Sequence, residues 1–115
     1  MGKSNTRETF GRRAFSTSEQ EQISNTYNIN VIDGTFVFGP PKNDKERLLN
    51  QVNYWVANDN LVKARMIMKS LGFPSRMIKA YINDEQDLQK EKPEVSGYYR
   101  YKNKPMPETF KVVGN

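Results

Sequence analysis

The chain contains neither cysteine nor histidine. The first absence excludes disulfides, thiolate metal sites and cysteine nucleophiles. The second removes the commonest general base and the commonest zinc ligand. Long apolar runs are missing too. No stretch approaches the roughly 20 residues that a membrane-spanning helix needs. Residues 1–26 hold no apolar segment of the kind a secretory signal carries, so export by a signal peptide is not expected. The glycines stand singly, which leaves no phosphate-binding glycine loop. With these absences the expectation is a non-enzymatic protein with no cofactor, no metal and no membrane span.

What is present amounts to one small domain: 115 residues, 36% hydrophobic and 27% charged, with a net charge of +5. A small basic protein suits phosphate or an acidic partner surface. Much of the excess sits at one end, since residues 92–115 carry five basic and two acidic groups.

Three stretches differ in character. Residues 1–26 are polar, with only Phe10, Phe15 and Ile23 as bulky apolar groups, and read as a disordered polar arm. Residues 27–92 carry clear patterns. Tyr27–Ile32 and Thr35–Phe38 flank Asp33-Gly34, the signature of a type I′ hairpin over 27–38. A two-residue loop pairs Ile29 with Phe38 and Val31 with Phe36, which gathers Ile29, Val31, Phe36 and Phe38 on one face. Pro40 and Pro41 end the second strand. Asn43, with Glu46 three residues on, opens a helix over about 44–57. Asn58-Asp59-Asn60 breaks it and caps a second helix over 61–71, with Leu61, Ala64, Ile67, Met68 and Leu71 inward. Gly72 takes the left-handed position after that helix, and Pro74 starts a third over about 74–88. Trp55 is expected to be buried against the second and third helices. The fold class is α+β, mainly helical: a hairpin and a three-helix core between two arms. Residues 93–115 read as an extended basic and aromatic tail: 98–102 suits a short strand, Pro105 and Pro107 favour an extended path, and 109–113 suits either another strand or a segment lying in a groove.

The stretch Ala64–Ile82, ARMIMKSLGFPSRMIKAYI, resembles a helix-turn-helix of DNA-binding proteins, with Met68 where that family usually carries alanine. The resemblance implies that the third helix reads DNA through Ser75, Arg76, Lys79 and Asn83. Its Leu-Gly-Phe-Pro turn is also similar to that of ubiquitin-associated domains, three-helix binders. Tyr98, Tyr99, Arg100, Tyr101, Lys102 and Lys104 interleave rings with cations, which suits single-stranded nucleic acid or a protein interface. Arg12 and Arg13 add basic charge for the nucleic-acid alternative, and Arg12–Ser16 resembles a mitochondrial presequence cleavage site. Gly2 with Thr6 fits a myristoylation pattern. The acids Asp84, Glu85 and Asp87 read as a solvated helix end.

The favoured expectation is a structural or accessory subunit of a large assembly, with a phage or other viral virion component as the specific guess and virion or cytoplasm as its place. Its partners are other protein subunits, held through Phe36, Phe38, Tyr98, Tyr99 and Tyr101. A DNA-binding regulator using the helix pair at 61–82 is the alternative, with nucleic acid as partner through Ser75, Arg76, Lys79, Asn83, Arg12, Arg13, Arg100 and Lys102.

Overall fold

The computed structural model describes residues 15–32, 35–95 and 98–112. The Asp33-Gly34 turn, Gly2, Arg12, Arg13 and the end of the 109–113 strand lie outside the described residues. The elements run α1 (Thr17–Thr26), β1 (Ile29–Ile32), β2 (Thr35–Phe38), α2 (Asp44–Ala57), α3 (Leu61–Ser70) and α4 (Ser75–Glu91). A 3₁₀ turn at Pro93–Val95, the single-turn helix α5 (Tyr98–Tyr101) and a 3₁₀ turn at Glu108–Phe110 follow. The chain is thus mainly helical with one antiparallel hairpin.

The first helix was not legible as a period. Its start is a full capping box: the Glu19 amide donates to Ser16 Oγ at 3.1 Å, and the Ser16 amide donates to Glu19 Oε1 at 2.9 Å. Phe15, Ile23 and Tyr27 are all buried. They recur at intervals of eight and four residues, so one seam of an otherwise polar segment docks on the core. The disordered reading of residues 1–26 is therefore corrected from Phe15 onward. Apolar content alone missed that these few groups are placed to pack together.

The hairpin has the expected register, with Ile29 opposite Phe38, Asn30 opposite Val37, Val31 opposite Phe36 and Ile32 opposite Thr35. Its apolar face is not free. Ile29 and Phe36 are buried, and Val31 and Phe38 pack partly buried against the same core. The Phe36 ring lies 5.7 Å from that of Phe15 and 6.2 Å from that of Tyr81. Gly39 closes the second strand where space is shortest: a Cβ there would meet Asn28 Nδ2 at 2.6 Å. Asn28 uses that approach to donate to the Pro40 carbonyl at 2.9 Å.

Asn43 caps α2 through the Glu46 amide, while Glu46 Oε1 accepts from the Lys42 amide, a capping box displaced by one residue. Asp59, at φ 64°, turns the chain, and Asn60 caps α3. Gly72, at φ 93°, takes the left-handed position that a Cβ would disfavour. Pro74 is the residue before α4 rather than in its first turn, and α4 runs to Glu91, nearly a turn beyond the expected end. Helices α2, α3 and α4 close the core around Val52, Val56, Ala64, Met68, Ile78 and Tyr81. Tyr81 donates its hydroxyl to Asn53 Oδ1 at 2.9 Å. Trp55 is half-buried rather than enclosed. Its Nε1–H donates to Gln51 Oε1, and Lys63 Nζ stands 5.5 Å from its ring. Asp84 and Glu85 are buried on α4, which corrects the solvated-end reading.

The carboxyl-terminal segment forms no strand among the described residues. Side chains of α2 and the turn after it hold its carbonyls instead, and this fixes it in turns. Gln51 Nε2 donates to the Phe110 carbonyl at 2.7 Å, and Tyr54 donates its hydroxyl to the Lys104 carbonyl at 2.7 Å. Asn58 donates to the Tyr101 carbonyl at 2.9 Å and accepts from the Asn103 amide at 2.8 Å. Phe110 is buried beneath. The tail is a strap across α2, not an extended arm.

Candidate protein-docking groove

Between them α3 and α4 leave a groove of about 550 Å³. From α3 come Val62, Arg65, Met66 and Lys69; from α4 come Ser75, Ile78, Lys79, Ile82 and Asn83. The reason is a second apolar stripe. Leu61, Ala64, Ile67 and Met68 face the core, and Val62 and Met66 repeat at i, i+4 on the opposite side. Val62 is 60% exposed and Met66 62%, so large apolar groups stand in water. Ile78 and Ile82 are buried and form the floor. Arg65, Lys69 and Lys79 line the groove with no acidic group beside them. The sequence signal for this site was available in Val62 and Met66, which lie off the core stripe of their own helix.

The residues proposed for DNA reading divide. Ser75, Lys79 and Asn83 line the groove. Arg76 turns away to α1, where its guanidinium meets Glu19 Oε2 at 3.0 Å. The Glu19 carboxyl is held below its ordinary pKa, first by the Ser16 amide and then by Arg76.

The residues proposed as aromatic anchors divide as well. Phe36 is closed inside the core between Phe15 and Tyr81, and Phe38 is partly buried, so neither presents its ring as a free anchor. Tyr101 is turned inward, its ring 6.0 Å from Tyr54 and 5.6 Å from Phe110, and serves the strap. Tyr98 and Tyr99 do reach solvent, at 36% and 63% exposure, and meet edge to face at 5.7 Å. Arg100 is exposed beside them. Lys102 instead pairs with Asp59 at 2.8 Å, a hydrogen bond that raises its pKa. Tyr98 and Tyr99 border a smaller hollow with Gln86, Lys90 and Asp59.

The two surfaces share one helix. Ser75, Lys79, Asn83, Gln86 and Lys90 follow one another at intervals of three or four residues and form a single row along α4. The groove occupies the first part of that row and the tyrosine pair the last.

No helix among the described residues is long and apolar enough to cross a membrane. A scan against protein-family models finds no match, and searches of curated proteins and of solved structures find none either.

Proposed function

We propose that this chain is a non-enzymatic accessory subunit of a larger assembly, the class that includes virion components and nucleoprotein particles, and that it docks a protein partner through the α3/α4 groove. The observation that carries the reading is the pair Val62 and Met66, both mostly exposed above a floor of Ile78 and Ile82. Exposed apolar groups gathered in one hollow mark interaction sites far more often than scattered ones do. The three cations on the groove wall add a charge preference to an apolar seat. This replaces the hairpin face as the expected interface, because Phe36 is used in the core.

A DNA-reading role is the second reading, favoured by Lys79, Ser75 and Asn83 lying on one face of α4 with Arg65 and Lys69 opposite. Two observations weigh against it. Arg76 is engaged with Glu19, and the centre of the surface is apolar.

The test is in-cell photo-crosslinking with p-benzoylphenylalanine at position 62, followed by mass spectrometry. A protein adduct that is lost on Met66→Asp supports the reading. Adducts to nucleic acid alone, or a chain purified from its source as an uncrosslinked monomer, would overturn it.

A further inference from the structure

We infer that the occupant of the α3/α4 groove is an acidic amphipathic helix of a partner protein, about 15 residues long. The inference rests on the docking reading above and adds the chemistry of the partner.

Three features of the groove define that chemistry. The seat lies between two helices, with apolar contact at Val62, Met66, Ile78 and Ile82. Such a seat takes apolar side chains spaced i, i+3 or i+4 and i+7 along one helix face. The groove walls offer Arg65, Lys69 and Lys79 with no acidic group beside them, and Asp59, in the hollow beyond, is paired with Lys102. Among the described residues none of these three cations is tied to a carboxylate, so each has its charge to give to a partner. The row from Ser75 to Lys90 spans about 22 Å at 1.5 Å per residue, which is the length of a helix of about 15 residues. Tyr98 and Tyr99 stand at its far end as an aromatic stop.

Other occupants fit less well. The chain's own amino-terminal sequence carries Lys3, Arg7, Arg12 and Arg13 against Glu8, the same sign as the groove. A second copy meeting the first face to face sets Arg65, Lys69 and Lys79 against themselves. A nucleic-acid backbone matches the cations but leaves Val62 and Met66 without apolar contact.

The experiment uses the full chain and four probes. The first is a fluorescent 15-residue helical peptide with leucines at i, i+4, i+7 and i+11 and glutamates flanking them. The second is the same composition with the leucine spacing scrambled. The third replaces every glutamate with lysine. The fourth is a 16-base-pair duplex. Anisotropy titrations are run at low and moderate salt, with sedimentation of the chain alone in parallel.

The expected result is that the acidic amphipathic peptide binds at least about tenfold more tightly than either peptide control, a difference well within what two or three anchors supply. Met66→Asp should remove at least about tenfold of that affinity. Lys69→Glu with Lys79→Glu should weaken it and reduce its salt dependence. These side chains are exposed, and unchanged circular dichroism will show that the variants fold.

Equal binding of the scrambled peptide, tighter binding of the lysine peptide or of the duplex, self-association abolished by Met66→Asp, or no binding at all overturns the inference. The docking reading fails separately. If in-cell crosslinking at position 62 captures a protein that is not an acidic helix, the groove is an interface and only the partner chemistry is wrong. If it captures no protein, the reading itself is wrong.

Discussion

The two ends of the described chain are both polar in composition, yet they are fastened to the same core by different physics. At the amino-terminal end, α1 is held by burial. Phe15, Ile23 and Tyr27 enter the core cluster, and Phe15 meets Phe36 directly. At the carboxyl-terminal end the strap is held mainly by hydrogen bonds from Gln51, Tyr54 and Asn58 to its backbone, with Phe110 as its buried apolar group. Burial is non-directional and grows with area. Side chain to backbone bonds are directional and cost most when one partner is removed from a closed site. The two ends should therefore fail under different substitutions.

The largest effect is expected at Phe36, where α1, the hairpin and α4 meet through Phe15 and Tyr81. Phe36→Ala should cost about 3–5 kcal/mol, the range for truncating a buried phenylalanine, and in a domain this small that approaches the whole stability. Chemical denaturation followed by Trp55 fluorescence measures it. A loss near zero would show that the hairpin face is not packed as described.

Asn58→Ala comes next and should act on the other end alone. The carboxamide of Asn58 donates to Tyr101 and Tyr54 carbonyls and accepts from the Asn103 amide. Its loss should cost about 1–3 kcal/mol, the range for leaving such groups unsatisfied. Hydrogen exchange should show amides of 98–110 losing protection while those of α1 keep theirs. Equal loosening of both ends would mean that they are coupled, and the comparison would fall.

Much of the middle of the molecule was legible because several signals agreed there. The Asp-Gly pair and the two alternating runs fixed the hairpin register, and Asn43, Asn60 and Gly72 marked helix ends. The ends are harder to read in the sequence, for separable reasons. Ser16 and Glu19 form a capping box that announced α1, but so few apolar groups follow that no period can be read without its docking site. The strap has no local signal at all, since its conformation is imposed by α2 side chains up to 59 residues away. The candidate site was half legible. Ser75, Lys79 and Asn83 fall on the outer face that the helical period of α4 assigns them, whereas Val62 and Met66 stand out only against the core-facing stripe of α3. Phe36 suggests an interface in the sequence because its cover comes from Phe15, in a segment with no readable period, and from Tyr81 on the distant α4.

A smaller effect separates the capping of α1 from its burial. Ser16→Ala removes the acceptor for the Glu19 amide and should cost about 1 kcal/mol, as N-cap losses typically do. Because Phe15 and Ile23 remain in the core, exchange should rise in the first turn of α1 and leave its last turn protected. Complete release of α1 by this change would show that the cap, not burial, holds the helix.

The smallest effect is a response to acid that is greater at the amino-terminal end. Glu19 has its pKa lowered in the folded chain, chiefly by the Ser16 amide and further by Arg76. A carboxyl of this kind contributes stability that is fully present above its unfolded value, about 4.3, and is lost as pH falls through the lower folded value. Acid should therefore loosen α1. The strap should respond less, because its ties through Gln51, Tyr54 and Asn58 join neutral side chains to carbonyls that do not titrate in that range, and its ion pair to the turn after α2, Lys102 with Asp59, is solvent-exposed at the carboxylate. Protection factors for α1 and for residues 98–110, compared from pH 5 to pH 3, make the test. Glu19→Gln keeps an acceptor for the Ser16 amide but removes the charge, so the acid response of α1 should flatten. Added salt should reduce only the Arg76 share, since that pair is solvent-exposed and screened. A strap that loosens in acid as much as α1 would show that charge, rather than neutral hydrogen bonding, fastens the carboxyl-terminal end.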